Sequence, residues 1–257
     1  MLFRSDRDHA AVTRAVLALA APQPGENVLD IGCGSGTTTL LLAERVGPKG
    51  GVIGIDLSAP MLEVARTRAK QMRSIAKFVE ADATDHPFEP GRYDLAFSQL
   101  GVMFFADPVS AFSNIHRALK RTGRLVFACW RGPEEHFWAT IPEEAAKPFL
   151  PPMPPVNFEA PGRFGFARPE RVKRVLTQAG FQNVTLEKCD ARVFVGRTPE
   201  EAASSAIDAG PLMRTLADAD ETTRMKVRAA VTERMAREAA PDGIYLAAAA
   251  WLVRATA

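Results

Sequence analysis

The stretch VLDIGCGSGTTTL, from Val28 to Leu40, most constrains what this chain can fold into. An apolar run leads into three glycines (Gly32, Gly34, Gly36) spaced by small residues, and the run TTTLLLAERV follows at helical spacing. Strand, glycine loop and helix in that order open a βαβ unit. The alternation then continues through GVIGID, the helical SAPMLEVARTRAKQM, KFVEAD, YDLAFS, the helical DPVSAFSNIHRALK and TGRLVFACW. Strands separated by helices of roughly 10–15 residues imply right-handed crossovers and a parallel sheet covered on both faces. An amphipathic helix around Asp8 to Ala20 precedes this pattern, which fills residues 25–130.

From Arg131 the texture changes. Eight of the nineteen prolines and six of the twenty aromatic residues fall between Arg131 and Arg168, so this stretch is read as an insertion and not as another βα unit. PFLPPMPP is too rich in proline for regular structure and is expected to form a rigid, extended connector. A helix over RPERVKRVLTQAGF, a strand over NVTLEKCDARVFV, helices within 199–240 and a closing strand over GIYLAAAAWLVRA complete the chain. The last two strands lack a crossover of the earlier kind, so an antiparallel edge is expected. The expected organisation is a single domain over 1–257, with its core at 25–130 and insertions at 131–168 and 199–240 capping a substrate.

Composition removes several classes of function. A net charge of +2, with acids and bases interleaved, gives no electrostatic footprint for nucleic acid. The longest apolar windows, LVFACW and YLAAAAWLV, are far shorter than the roughly 20 residues a membrane span needs. The opening MLFRSDRDHA is charged where a secretory leader is apolar. Three scattered cysteines (Cys33, Cys129, Cys189) suggest neither a disulfide framework nor a metal site, and a reducing cytoplasm is the expected setting. The histidines His9, His86, His116 and His136 lack metal-ligand spacing, so no metal is expected. Monomer and homodimer both remain open.

The glycine loop can be tested against ligand classes. A P-loop requires a lysine after the glycines, and none is present. A dinucleotide fingerprint requires a third glycine or alanine where Thr37 stands, and Asp30 would repel a pyrophosphate. S-adenosylmethionine suits the loop better, since it is cationic at its ammonium and sulfonium and carries no phosphate. Glycines allow close approach to its methionine portion, the helix N-terminus favours its carboxylate, and Asp30 can face its ammonium. Asp56, ending the second strand, can accept from the ribose hydroxyls, and Asp82, ending the third, from the adenine amino group.

VLDIGCGSG, GIDLSAPMLEVAR, FVEADATDHPF and RALKRTGRLVF, in this order and spacing, resemble the class I S-adenosylmethionine-dependent methyltransferases. Within them the chain looks most like the small-molecule branch that includes the ubiquinone/menaquinone methyltransferases. The resemblance implies a doubly wound α/β fold with a seven-stranded sheet in order 3-2-1-4-5-7-6, strand 7 antiparallel. It implies methyl transfer to a small-molecule acceptor with S-adenosylhomocysteine as product. It places Asp30, Gly32 and Gly34 at the methionine portion, Asp56 at the ribose, Leu57 and Met61 beside adenine, Asp82 and Ala83 at the adenine edge, and Ser98 near the methyl group. Plainer roles stand beside these: helix packing for Gly36, core positions for Leu57 and Met61, and a turn cap for Asp82. A non-catalytic cofactor-binding module and a nicotinamide-dependent oxidoreductase are the alternatives.

Methyl transfer mainly requires orientation, and a base helps only where the nucleophile must lose a proton. His136, in RGPEEHFW after the fifth strand, is the candidate base; a solvated position at a helix start is its plainer reading. An aromatic or apolar acceptor is expected, with Met103, Phe104, Trp130, Trp138, Arg163 and Phe164 as candidate contacts. Of these, the aromatic residues could equally fill the core, and Arg163 could face water.

Overall fold

The structure, a computed structural model, describes residues 9–152, 155–208 and 210–257. Asp8 of the expected first helix, Met153 and Pro154 of the proline run, and Ala209 lie outside the described residues. The chain divides into two compact units. One comprises Val12–Arg131, Asn157–Cys189 and Ala250–Ala257; the other is built chiefly from Gly132–Val156 and Asp190–Ala249. Of the two expected insertions, Arg131 and Asn157–Arg168 therefore fall in the first unit and the remainder in the second.

The elements of the first unit follow the sequence pattern closely. After α1 (Ala10–Ala20) come β1 (Asn27–Ile31), α2 (Thr37–Val46), β2 (Gly51–Asp56), α3 (Ala59–Gln71), β3 (Lys77–Glu80), β4 (Tyr93–Gln99), α4 (Pro108–Ala118) and β5 (Leu119–Trp130). Val28, Leu29 and Ile31 are all buried because β1 lies between β2 and β4 with both faces covered, which is why its sequence is a continuous apolar run. α3 begins with Pro60 in its first turn, where a missing N–H costs nothing. α4 starts at Asp107, whose carboxylate accepts from the Ser110 N–H at 3.0 Å. That helix ends before the expected Lys120, because Leu119 already pairs with Tyr93 as the first residue of β5.

The remaining elements are α5 (Phe137–Ala146), α6 (Pro169–Gln178), β6 (Gln182–Gly196), α7 (Pro199–Asp208), α8 (Glu221–Ala236) and β7 (Ile244–Thr256). The seven strands lie in the order β3-β2-β1-β4-β5-β7-β6. β1 to β5 pair in parallel, and β7 runs antiparallel to β5 with Arg124 opposite Thr256. The chain moves outward from β1 to β3 and then returns to lay β4 on the other side of β1. That reversal opens a crevice at the carboxyl ends of the strands, where open α/β sheets bind ligands. No helix among the described residues is long and apolar enough to cross a membrane.

α5 forms within the first insertion and ends before the proline run PFLPPMPP begins. Trp138, Ile141 and Ala146 recur at helical spacing, and this outweighs the single interior Pro142. Ile141 and Ala146 join Ala203, Leu216, Val231 and Met235 in the buried core of the second unit. In the first unit, Phe112 on α4 is fully buried. Its ring lies 5.5 Å from Phe105, 5.8 Å from Phe127, 6.0 Å from Phe166 and 6.3 Å from Phe181. Phe166 thus packs the core under the sheet. Truncating the hub, Phe112→Ala, is expected to lower unfolding free energy by about 3–5 kcal/mol in urea denaturation. A loss below about 1 kcal/mol would show that this cluster does not organise the unit.

Candidate functional site

The carboxyl ends of β1 to β4 border a cleft of about 430 Å³. Its wall follows the strand order. Ala81 to Thr84 lie beyond β3, and Ile55, Asp56, Leu57 and Met61 at the junction of β2 and α3. Ile31, Gly32 and Gly34 follow β1, while Gln99, Leu100, Gly101, Phe104, Phe105 and Ala106 come from β4 and the turn after it. Two carboxylates line the cleft and no lysine or arginine does, among the described residues.

The glycine loop is fixed by its neighbours. The Gly34 N–H donates to Asp56 Oδ2 at 2.8 Å, and the Ser58 N–H to Oδ1 of the same carboxylate at 2.9 Å. The Cys33 N–H donates to the Ile55 carbonyl at 3.0 Å. From α3, Arg68 donates to the Ser35 carbonyl and to Thr37 Oγ1, each at 2.9 Å. Gly32, at φ +66°, packs directly on Gly101, and a Cβ built on it would fall 2.8 Å from the Gly101 Cα. Only backbone fits there, so the floor between β1 and β4 is lined by main chain. Gly36 serves packing: it caps α2, and a Cβ there would come within 2.9 Å of Ala65 and Phe78.

Of the residues expected around a cofactor, Gly32, Gly34, Asp56, Leu57, Met61, Asp82 and Ala83 line this one cleft. Leu57 (68% exposed), Met61 (44%) and Phe104 (55%) leave apolar side chains open on its wall, so core filling does not account for Leu57 or Met61. The Asp82 Oδ1 accepts from the Thr84 N–H at 2.8 Å, so its turn-capping role coexists with its place in the cleft. Asn114, on α4, anchors that wall from behind by donating to the carbonyls of Ala83 (2.9 Å) and His86 (2.8 Å).

Asp30 and Ser98 are placed differently from the expectation. Asp30 is fully buried, and its Oδ2 accepts from the hydroxyls of Thr38 and Thr39, both at 2.7 Å. Its Oδ2 faces the first turn of α2, its Oδ1 is buried with no hydrogen-bond partner among the described residues, and Asp30 is absent from the cleft lining. Burial pushes the carboxyl up to about 7; the Thr39 and Thr38 bonds pull the other way, and the charge of Asp56 adds to the rise. Ser98 is buried too, donating through Oγ to the Ile31 carbonyl at 2.7 Å and tying the end of β4 to that of β1. Strand alternation turns its neighbour Gln99 to the cleft instead. Burial, with the charges of Asp30 and Asp56, pushes the Cys33 thiol well up, so it is no nucleophile.

The residues expected at the acceptor are dispersed. Phe104 lines the cleft and Phe105 stands beside it, but Met103 is buried, its Sδ accepting from the Trp130 N–H at 3.2 Å. Trp130 is likewise buried. Arg163 and Phe164 pack as a cation–π pair at 5.9 Å and are absent from the cleft lining. In the second unit, Trp138 packs against the helical core. Its indole N–H donates at 3.0 Å to Nδ1 of His136, which is fully buried and not the solvated helix-start residue of the plainer reading. With Nδ1 accepting, a neutral His136 carries its proton on Nε2, which argues against a role as base.

Comparison with known proteins agrees with this geometry. Residues 22–147 match a family model described as a methyltransferase domain. A demethylmenaquinone methyltransferase of Thermus thermophilus is 31% identical over 176 residues, covering 65% of this chain and 80% of that protein. Among solved structures, the YcgJ protein of Bacillus subtilis superposes with a TM-score of 0.62 at 17% identity, over 96% of this chain and 98% of that one. Phosphoethanolamine N-methyltransferase 2 of Haemonchus contortus, solved with S-adenosyl-L-methionine, gives 0.57 at 21% identity, over 95% and 52%. At such identities the two structures speak for the fold alone.

Asp30 provides a test of the interior of the site. The folded state holds its proton up to about 7, against an ordinary value of 3.8, so its contribution to stability falls as pH rises between those values. The wild type is therefore expected to lose about 2 kcal/mol relative to Asp30→Asn between pH 5 and pH 8, measured by urea denaturation. A pH-independent difference would contradict the buried, protonatable placement of Asp30.

Proposed function

We propose, for a chain that belongs to the class I S-adenosylmethionine-dependent methyltransferases, that the cleft at the ends of β1 to β4 holds the cofactor and that the acceptor is a small apolar or aromatic molecule. The observation that carries the cofactor placement is the charge of the lining: two carboxylates at the ends of β2 and β3, with no basic side chain among the described residues. Such a wall suits hydroxyl, amino and ammonium groups and repels phosphates. The alternatives of a nicotinamide cofactor and of a silent binding module have no support in the family match.

In this reading Asp56 receives the ribose hydroxyls, with its carboxylate already oriented by the N–H groups of Gly34 and Ser58. Leu57 and Met61 flank the adenine ring, and Asp82 and Ala83 meet its edge. Gly32 and Gly34 allow the main chain to approach the amino-acid portion. When bound, S-adenosylmethionine supplies a methyl group whose bond to the sulfonium breaks, its electron pair staying on sulfur, as the acceptor forms the new bond to carbon.

The chain's part in that step is orientation and exclusion of water. Phe104 and Phe105 supply an apolar wall after β4 on which a ring can lie. No histidine, lysine, tyrosine or cysteine lines the cleft among the described residues, so the acceptor is one that needs no strong base. Demethylmenaquinone, the substrate in the name of the Thermus relative, is the first candidate.

Incubating the protein with S-adenosylmethionine and a panel of quinols, phenols and amines, read by mass spectrometry, is expected to yield S-adenosylhomocysteine together with a methylated aromatic product. Methylation confined to hydrophilic amines would contradict the proposed acceptor class. Asp56→Ala is expected to weaken S-adenosylhomocysteine binding about 100-fold by calorimetry while the circular dichroism spectrum stays native. Undiminished affinity would remove Asp56 from the site.

A further inference from the structure

Asp30 stands behind the cleft lining with its Oδ2 held by Thr38 and Thr39, so the groups that meet a ligand directly at the β1 and β4 end are those that line it. The lining residues there are Ile31, Gly32, Gly34, Gln99, Leu100, Gly101 and the segment 104–106. Gln99 is the one among them with a polar side chain. It is the last residue of β4, and its Oε1 is buried with no hydrogen-bond partner among the described residues. An amide oxygen kept out of water and unpaired is costly, so its placement calls for a donor.

The turn that presents Gln99 is itself constrained. Leu100 sits at φ +63°, a conformation that non-glycine residues rarely adopt, while its N–H donates to the Ala128 carbonyl at 2.9 Å. Gly101 is pressed on Gly32 at a distance that admits no side chain on either. Strain and close packing together hold the carboxamide at the junction of the β1 and β4 loops.

The strand order settles which part of a ligand reaches it. A molecule whose adenosine lies over the ends of β3 and β2 carries its amino-acid end toward β1 and β4. We infer that the Gln99 Oε1 accepts a hydrogen bond from the α-ammonium of the bound cofactor, so that Gln99 selects the amino-acid end of the ligand. This rests on the reading of the cleft as the S-adenosylmethionine site.

The test is calorimetry on the full chain with two probes: S-adenosylhomocysteine, and 5′-methylthioadenosine, which keeps adenine and ribose but has no amino acid. Gln99→Met, similar in length and lacking a strong acceptor, is expected to weaken S-adenosylhomocysteine by about tenfold or more and to change 5′-methylthioadenosine by less than about twofold. Gln99→Glu, which keeps an oxygen acceptor, is expected to stay within about threefold of the wild type for S-adenosylhomocysteine. Unchanged S-adenosylhomocysteine affinity in Gln99→Met, an equal loss for both probes, or a Glu variant as weak as the Met variant overturns the inference. A wild type that binds neither probe overturns the cofactor reading itself.

Discussion

The Asp56 carboxylate is the interaction on which the site depends. One oxygen takes the N–H of Gly34 and the other that of Ser58, so a single side chain joins the glycine loop after β1 to the start of α3 after β2. The loop needs such an anchor because its glycines are intrinsically free, and Gly32 must keep a positive φ to lie on Gly101. Arg68 clamps the same loop from α3, and Ser98 ties β1 to β4 beneath it. Each oxygen of Asp56 keeps a further lone pair, so structural and ligand-binding roles can share one group.

Around that anchor the charges divide into a wet pair and a buried one. Asp56 and Asp82 face the cleft, whereas Asp30 is sealed behind it by Thr38 and Thr39. The acid that the primary structure places at the mouth of the loop thus holds the first turn of α2 through one of its oxygens. What remains at the surface is a wall that accepts hydrogen bonds, discourages phosphate and offers apolar area at Leu57, Met61 and Phe104. Those are the demands of a cationic nucleoside.

Much of this was legible in the sequence, for identifiable reasons. The parallel sheet and its antiparallel edge follow from alternating βα units and from the missing late crossover, whereas the strand order was implied by the resemblance. Gly32, Gly34, Asp56 and Asp82 were legible because strand ends in an open α/β sheet converge on one edge. The orientation of the Asp30 Oδ2 was not, since its partners Thr38 and Thr39 lie eight and nine residues on, across the glycine loop, and threonines at a helix start carry no distinctive signal. Ser98 and Gln99 differ by one position, and strand boundaries read from sequence do not fix which of two neighbours faces the ligand. The helix start expected at His136 is met by α5, although the side chain there is buried and not solvated. Asn114, buried on α4, looked like an ordinary helix residue because its partners, Ala83 and His86, are distant in sequence.

The central claim is that S-adenosylmethionine and its product bind along the ends of β3, β2, β1 and β4 in that order. A crystal structure with S-adenosylhomocysteine tests it most directly. The expected result is electron density with adenine between Leu57 and Met61, the ribose hydroxyls on Asp56 and the amino-acid end between Gly32 and Gln99. Density for the nucleoside elsewhere on the chain, or in this cleft with its ribose turned away from Asp56, would contradict it.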